Sequence, residues 1–172
     1  MAAVPNHQVE RITSLDTRAN VAYFGTFGYE LDLNIISEDE KEQVFKQVEF
    51  FKEYRELIQF GDFYRIKNGE DNYYSWMVVS KDKKEAILAY YKILATPNPS
   101  LKKLALSGLN PDMKYTCDVT GKMYYGDELM NVGMIMETEF TGLIQSESYK
   151  GTYHSGTDMG DFTSQIYVLK AK

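Results

Sequence analysis

Between Glu38 and Phe60, apolar residues recur at three- and four-residue intervals: Val44, Phe45, Val48, Phe51, Tyr54, Leu57 and Ile58. That period lines them along one side of a helix. Ser37 followed by Glu40 makes a capping box, acidic residues crowd the first turn, and Gly61 stands just past the last one. A helix over Glu38–Phe60 is predicted, with one broad stripe that must pack against a substantial surface not obvious elsewhere in the chain. Upstream, Ser14 to Phe24 carries Leu15, Ala19, Val21, Ala22 and Tyr23, a short helix capped by Ser14 or Asp16 and ended by Gly25. In "TFGYELDL" the period changes to two. Phe27, Tyr29, Leu31 and Leu33 fall on one face and Glu30 and Asp32 on the other, which predicts a strand.

From Asp62 the pattern is strand-like. "DFYRI", "YYSWMVVS", "KEAILAYYKIL", "KKLALSGL", "MKYTCDV", "KMYYG" and "FTSQIYVLKA" are short β-prone runs separated by turn-forming segments such as "KNGED", "TPNPS" and "LNPDM". The short "KDKK" link between Tyr73–Ser80 and Glu85–Leu94 predicts a hairpin. The expected fold class is α+β, helical at the front, with a small antiparallel β-sandwich from about residue 67 onward.

Composition narrows the function classes. With 172 residues, 44% of them hydrophobic and 14% aromatic, the chain can bury a sizeable core, so disorder is not expected. Nineteen Lys and Arg against 25 Asp and Glu leave a net charge of −6, and the basic residues are scattered, which argues against nucleic acid as a partner. The lone Cys117 excludes an intrachain disulfide. No apolar run approaches the roughly 18 residues of a membrane span, and "MAAVPNHQ" lacks the basic start and apolar centre of a signal peptide. A soluble, cytoplasmic protein without membrane association is expected. One Cys and two His make a zinc site improbable, and His154 has no companion at ligand spacing.

Taken in order, "AVPNHQ", "SLDTRANVAYFGTFGYELDL", "FKEYRELIQFGDFYRI", "DELMNVG" and "GDFTSQIYVLKA" resemble the C-terminal portion of bacterial α-galactosidases of glycoside hydrolase family 36. The resemblance covers most of the chain; "METEFTGLIQSESYKGTYHSGTDM" is its least familiar part. It implies a (β/α)8 barrel followed by a C-terminal antiparallel β-domain. On that plan residues 1–66 are the end of the barrel: Ser14 to Phe24 its seventh helix, Phe27 to Leu33 its eighth strand, Glu38 to Phe60 its eighth helix. Residues 67–172 are then the C-terminal β-sandwich domain. A complete barrel of this kind needs roughly 250 residues, so the beginning of such an enzyme is expected to lie outside this sequence.

The implied activity is hydrolysis of terminal α-galactosides such as melibiose and raffinose with retention of configuration, and no cofactor. Retention needs a nucleophilic carboxylate and an acid/base carboxyl about 5 Å apart. The family carries both on aspartates of the fourth and sixth barrel strands, neither of which is matched here. No catalytic residue is therefore assigned. Asn6, His7 and Gln8, after the seventh strand, and Asp32, toward the C-terminal end of the eighth, are candidates for the rim of the substrate pocket, where barrel enzymes build their sites. Each also has a plainer reading as a loop or paired-strand residue. Asp16 is read as a first-turn helix residue rather than a catalytic carboxyl, and Asp158 and Asp161 as turn residues. Trp76 with the pairs Tyr73/Tyr74 and Tyr90/Tyr91 could form a sugar platform, but alternation on a sheet favours core packing. Two further roles stay open: a non-catalytic carbohydrate-binding domain, and self-association through the apolar stripe of the long helix.

Overall fold

The computed structural model describes residue 10 and residues 12–67, 71–96, 102–136 and 161–172. In chain order the elements are α1 (Leu15–Ala22), α2 (Glu38–Phe60), β1 (Asp62–Ile66), β2 (Tyr73–Val79), β3 (Glu85–Lys92), β4 (Lys103–Leu104), β5 (Lys114–Cys117), β6 (Met123–Tyr125), α3 (Gly126–Asn131), β7 (Met134–Ile135) and β8 (Thr163–Ala171).

Both predicted helices form with the predicted N-caps, although α1 ends at Ala22 with Tyr23 as its C-cap, two residues before Gly25. Ser14 Oγ accepts from Thr17 N at 3.1 Å. At α2, Ser37 Oγ accepts from Glu40 N at 3.2 Å while Glu40 Oε2 accepts from Ser37 N at 2.9 Å, so two otherwise orphaned donors are satisfied reciprocally. Gly61 caps the other end for a reason of space rather than of handedness. Its backbone is extended (φ −68°, ψ 172°), but a Cβ there would sit 2.6 Å from the Leu57 carbonyl oxygen and 2.8 Å from that of Val79. Only glycine lets the helix end pass so close to the sheet.

The hairpin also forms as expected. Ser80 N donates to Glu85 O at 2.8 Å, Ser80 Oγ donates to Asp82 Oδ1 at 2.7 Å, and Lys83 takes the left-handed conformation (φ 61°). Six strands make one fully antiparallel sheet in the order β1-β2-β3-β8-β5-β6. The last strand in the chain thus lies in the middle, between β3 and β5. The sheet begins at Asp62, since β1 is paired along its whole length with β2.

Each face of the sheet is covered by a different layer. Ala86, Leu88 and Tyr90 of β3, with Met77, Tyr115, Tyr167 and Leu169, face a core closed by Leu104, Leu106, Leu109, Leu129, Met134 and Met136. This second layer is α3 with the two-stranded β4-β7 ladder and its connections. The expected sandwich is therefore one large sheet with a small, mixed second layer. Ile87, Ala89, Tyr91, Ile166 and Val168 point the other way, onto α1 and α2, where they meet Ala19, Tyr23, Phe50, Phe51, Tyr54, Leu57 and Ile58. The sheet itself is thus the surface that the inner part of the helical stripe required. Lys170 of β8 ties the same layers from outside, its Nζ lying 3.2 Å from Glu53 Oε1 and 5.2 Å from the centre of the Tyr54 ring.

One expected element is absent. Residues 27–33 form no strand; only Glu30 shows an isolated bridge. A strand needs a neighbour to complete its ladder, and among the described residues none lies alongside. The segment is held by its side chains instead. Phe27 stacks on Tyr23 (centroids 5.1 Å) and Phe51 (4.6 Å), and Tyr29 meets Phe27 edge-on at 5.5 Å. A polar relay fixes it further: the Tyr29 hydroxyl donates to Gln47 Oε1 at 2.8 Å, and Gln47 Nε2 donates to Asp16 Oδ1 at 2.9 Å. Gln47 is buried, so this relay joins α1, α2 and the segment between them through one side chain.

Three outcomes follow from these contacts. Removing a buried hydrogen-bonding partner costs about 1–3 kcal/mol, so Gln47→Leu should lower the unfolding free energy from urea titration by that amount and move the midpoint down; Gln47→Glu, which sets a second carboxylate against Asp16, should lower the midpoint more. An equal or higher midpoint for Gln47→Glu would show that the relay is not what holds the segment. Tyr115, fully buried, donates to Lys83 O at 2.6 Å and accepts from Asn110 N at 3.0 Å. Tyr115→Phe should therefore cost about 1–2 kcal/mol without changing the circular dichroism spectrum. Finally, burial raises the hydroxyls of Tyr23 and Tyr91 well above the ordinary tyrosine range and that of Tyr29 from 10.0 to about 12. The unfolded chain loses these protons first, so their contribution is intact below pH 10 and is lost as pH rises further, that of Tyr29 through about 12. Tyrosinate absorbance followed together with circular dichroism should show late ionisation coupled to unfolding; all tyrosines titrating together near pH 10 with the fold intact would contradict it.

Candidate functional site

Of the four rim candidates, Asn6, His7 and Gln8 lie outside the described residues. Asp32 is exposed, near the end of the expected strand and just before the turn at Leu33 and Asn34. Its Oδ1 accepts from both the backbone N and the Nδ2 of Asn34, each at 2.8 Å, an Asx turn that fixes the carboxylate relative to the chain. The turn sets Asp32 on the edge of a cleft of about 200 Å³ lined by Leu15, Arg18, Leu31, Asp32, Ile35, Ile36 and Glu40.

Helix phase explains how the charged members reach the same cleft. Arg18 lies one turn beyond the α1 N-cap, and its Nε donates to Thr13 O at 3.1 Å. Glu40 is the third residue of α2 and is held by the Ser37 cap. The backbone N–H of Ser37, its hydroxyl and the charge of Arg18 together keep the Glu40 carboxyl below the usual range, so it is ionised at neutral pH and offers no proton. The cleft therefore presents one guanidinium and two carboxylates above an aliphatic floor. Such a set can orient hydroxyl groups by hydrogen bonding.

The remaining sequence candidates separate cleanly. Asp16 sits in the first turn of α1 and accepts from Gln47, as its helical reading expects. Asp161 has a loop role, its Oδ1 accepting from Ala95 N at 2.8 Å. Asp158 and His154 lie outside the described residues. Trp76 is tilted against Tyr91 at 4.5 Å and meets Phe24 edge-on at 5.9 Å, beneath the helices rather than on an open platform. Tyr73 and Tyr90 stack at 5.7 Å in the opposite core. Among the described residues, no group of three or more His, Cys, Asp and Glu could hold a metal ion, and no helix is long and apolar enough to cross a membrane.

Arg18, Glu40 and Gln47 were not singled out as site residues from the sequence. For Gln47 a signal existed: it stands four residues before Phe51 and seven before Tyr54, on the buried face of α2, where an amide needs a partner. Arg18 and Glu40 come together only through the tertiary placement of the two helix starts.

Comparison with known proteins gives this geometry a setting. Residues 73–169 match the glycosyl hydrolase family 36 C-terminal domain, and residues 1–61 match the Melibiase family. Alpha-galactosidase 1 of Pediococcus pentosaceus is 45% identical over 168 residues, which is 97% of this chain and 20% of that protein. The crystal structure of the family 36 alpha-galactosidase AgaB from Geobacillus stearothermophilus superposes with a TM-score of 0.82 at 42% identity, covering 100% of this chain and 21% of that one. A variant of AgaA from the same organism, crystallised in complex with raffinose, superposes with a TM-score of 0.82 at 41% identity, covering 99% of this chain and 21% of its own. The chain thus spans about one fifth of the length of the relatives it matches. With more than half of its residues inside the C-terminal domain match and nearly all of them superposing on these enzymes, the chain belongs to glycosyl hydrolase family 36.

Proposed function

We propose that this chain is the C-terminal part of a retaining α-galactosidase, acting on terminal α-galactosides such as melibiose and raffinose, and that the catalytic carboxylates lie on a part of the enzyme it does not contain. The observation that carries this reading is one of extent. The match runs through essentially the whole chain, yet accounts for about one fifth of each relative. In this reading α1 and α2 are the seventh and eighth barrel helices, residues 27–33 supply the eighth strand once a neighbour is present, and the sheet from Asp62 onward is the C-terminal domain. The candidates Asn6, His7, Gln8 and Asp32 then belong to the rim of the galactoside pocket. The raffinose complex of AgaA supports the substrate class.

Local chemistry agrees with a scaffold role. Asp16, Asp32, Glu40 and Asp161 all accept hydrogen bonds that hold the backbone or the helix starts in place. A stand-alone sugar-binding role has less support, because Trp76 is packed between Phe24 and Tyr91.

The purified 172-residue chain should hydrolyse a chromogenic α-galactoside no faster than buffer. Measurable turnover that survives further purification would overturn the proposal.

A further inference from the structure

The two long-range partners α1 and α2 turn matching faces toward each other. Asp16 and Asn20 of α1 with its C-cap Tyr23, and Gln43, Gln47 and Phe50 of α2, repeat one spacing of four residues and then three. That spacing sets a polar group, an amide and an aromatic ring along one side of each helix. Together with the buried Ile166 of β8 they line a cleft of about 360 Å³, within the roughly 300–1,000 Å³ of small-molecule sites.

The cleft holds more hydrogen-bonding capacity than the fold uses. Tyr23 is only 4% exposed, its ring packed on Phe27 at 5.1 Å and on Phe50 at 4.8 Å, yet its hydroxyl has no hydrogen-bond partner among the described residues. Buried tyrosine hydroxyls ordinarily find one. Burial, with Tyr29 and Asp16 close by, raises this hydroxyl above the ordinary tyrosine range, so it keeps its proton and can donate. The Gln43 amide is also without a partner among the described residues. Asp16 accepts from Gln47 through Oδ1 at 2.9 Å, which leaves its Oδ2 to accept from elsewhere. The cation at the margin is already matched, Lys46 pairing with Glu42 at 2.6 Å.

We propose that this cleft binds an uncharged sugar ring, with the ring against Phe50 and its hydroxyls on Tyr23, Asp16 and Gln43. The site uses neither Trp76 nor any of the rim candidates, and it does not depend on the proposed function above. The donor and acceptor set selects the ligand class. An anion would meet the carboxylates of Asp16 and Glu42. An ammonium ion, which only donates, would leave the Tyr23 proton without an acceptor. A sugar hydroxyl both donates and accepts, so several of them meet the phenol, the carboxylate and the amide at once. The half-buried Phe50 ring suits the apolar C–H face of a pyranose.

The test titrates galactose, glucose and methylammonium separately into the purified 172-residue chain, with binding followed by ligand-observed NMR and folding by circular dichroism. At least one of the two sugars should saturate the chain, and methylammonium should not. Tyr23→Phe removes only a hydroxyl that the fold leaves unmet. It should therefore keep or raise the thermal midpoint while weakening sugar binding by about tenfold. Gln43→Ala should weaken binding in the same direction without lowering the midpoint. Saturation by neither sugar, saturation by methylammonium in their place, or sugar binding that both variants leave unchanged would each overturn the proposal. So would a lower midpoint for Tyr23→Phe, which would show that the hydroxyl serves the fold.

Discussion

The structure is organised by a strand with no solvent face. From Ala86 to Lys92 every residue of β3 is buried, even-numbered side chains entering one core and odd-numbered ones the other. Each large apolar side chain so enclosed contributes about 1.5–3 kcal/mol, but only if both sides are covered. The helices and the α3 with β4-β7 layer are therefore mutually dependent without touching the same side chains. Neither layer alone could keep "EAILAYYK" from water, and that run is too apolar to serve as an exposed strand.

Helix α2 stands in a related position on the outside of the molecule. Its inner residues complete the core under β2 and β3, and its outer residues do not. The aromatic cluster of Tyr23, Phe27, Phe50, Phe51 and Tyr54 locks α1, α2 and the link between them into one plate on the sheet. Gln47 adds direction to that plate, because stacked rings can slide whereas its two amide bonds fix a single register. The cleft bearing Asp32 inherits its geometry from this arrangement, since its charged residues are carried by the starts of the two helices.

How much of this could be read from residues alone followed the range of the interactions. The span of α2 and its caps were legible because a capping box and a three-and-four period are local; the β2-β3 hairpin was legible because Ser80 and Asp82 close it within six residues. The segment 27–33 misled because alternation reports which faces differ, not whether a neighbour exists. The breadth of the α2 stripe was visible, but its division between two surfaces depends on where the sheet lies. Gly61 was legible as the end of α2, but the close approach across layers that demands glycine there leaves no mark in sequence. At the site, Asp32 could be picked out by its place in a strand-like pattern, whereas Arg18 and Glu40 could not, since more than twenty residues separate them and only folding brings them to one cleft.

The position of β8 bears on how the molecule is made. It is the last strand in chain order, yet its hydrogen bonds join the β1-β2-β3 meander to β5 and β6. During synthesis the first three strands can pair as they emerge, but the two halves of the sheet have no common edge until residues beyond Thr163 have left the ribosome. Until then the flank of β3 that will receive β8 is an open template. The nascent chain is thus most exposed to mispairing along that flank in the interval before β8 emerges.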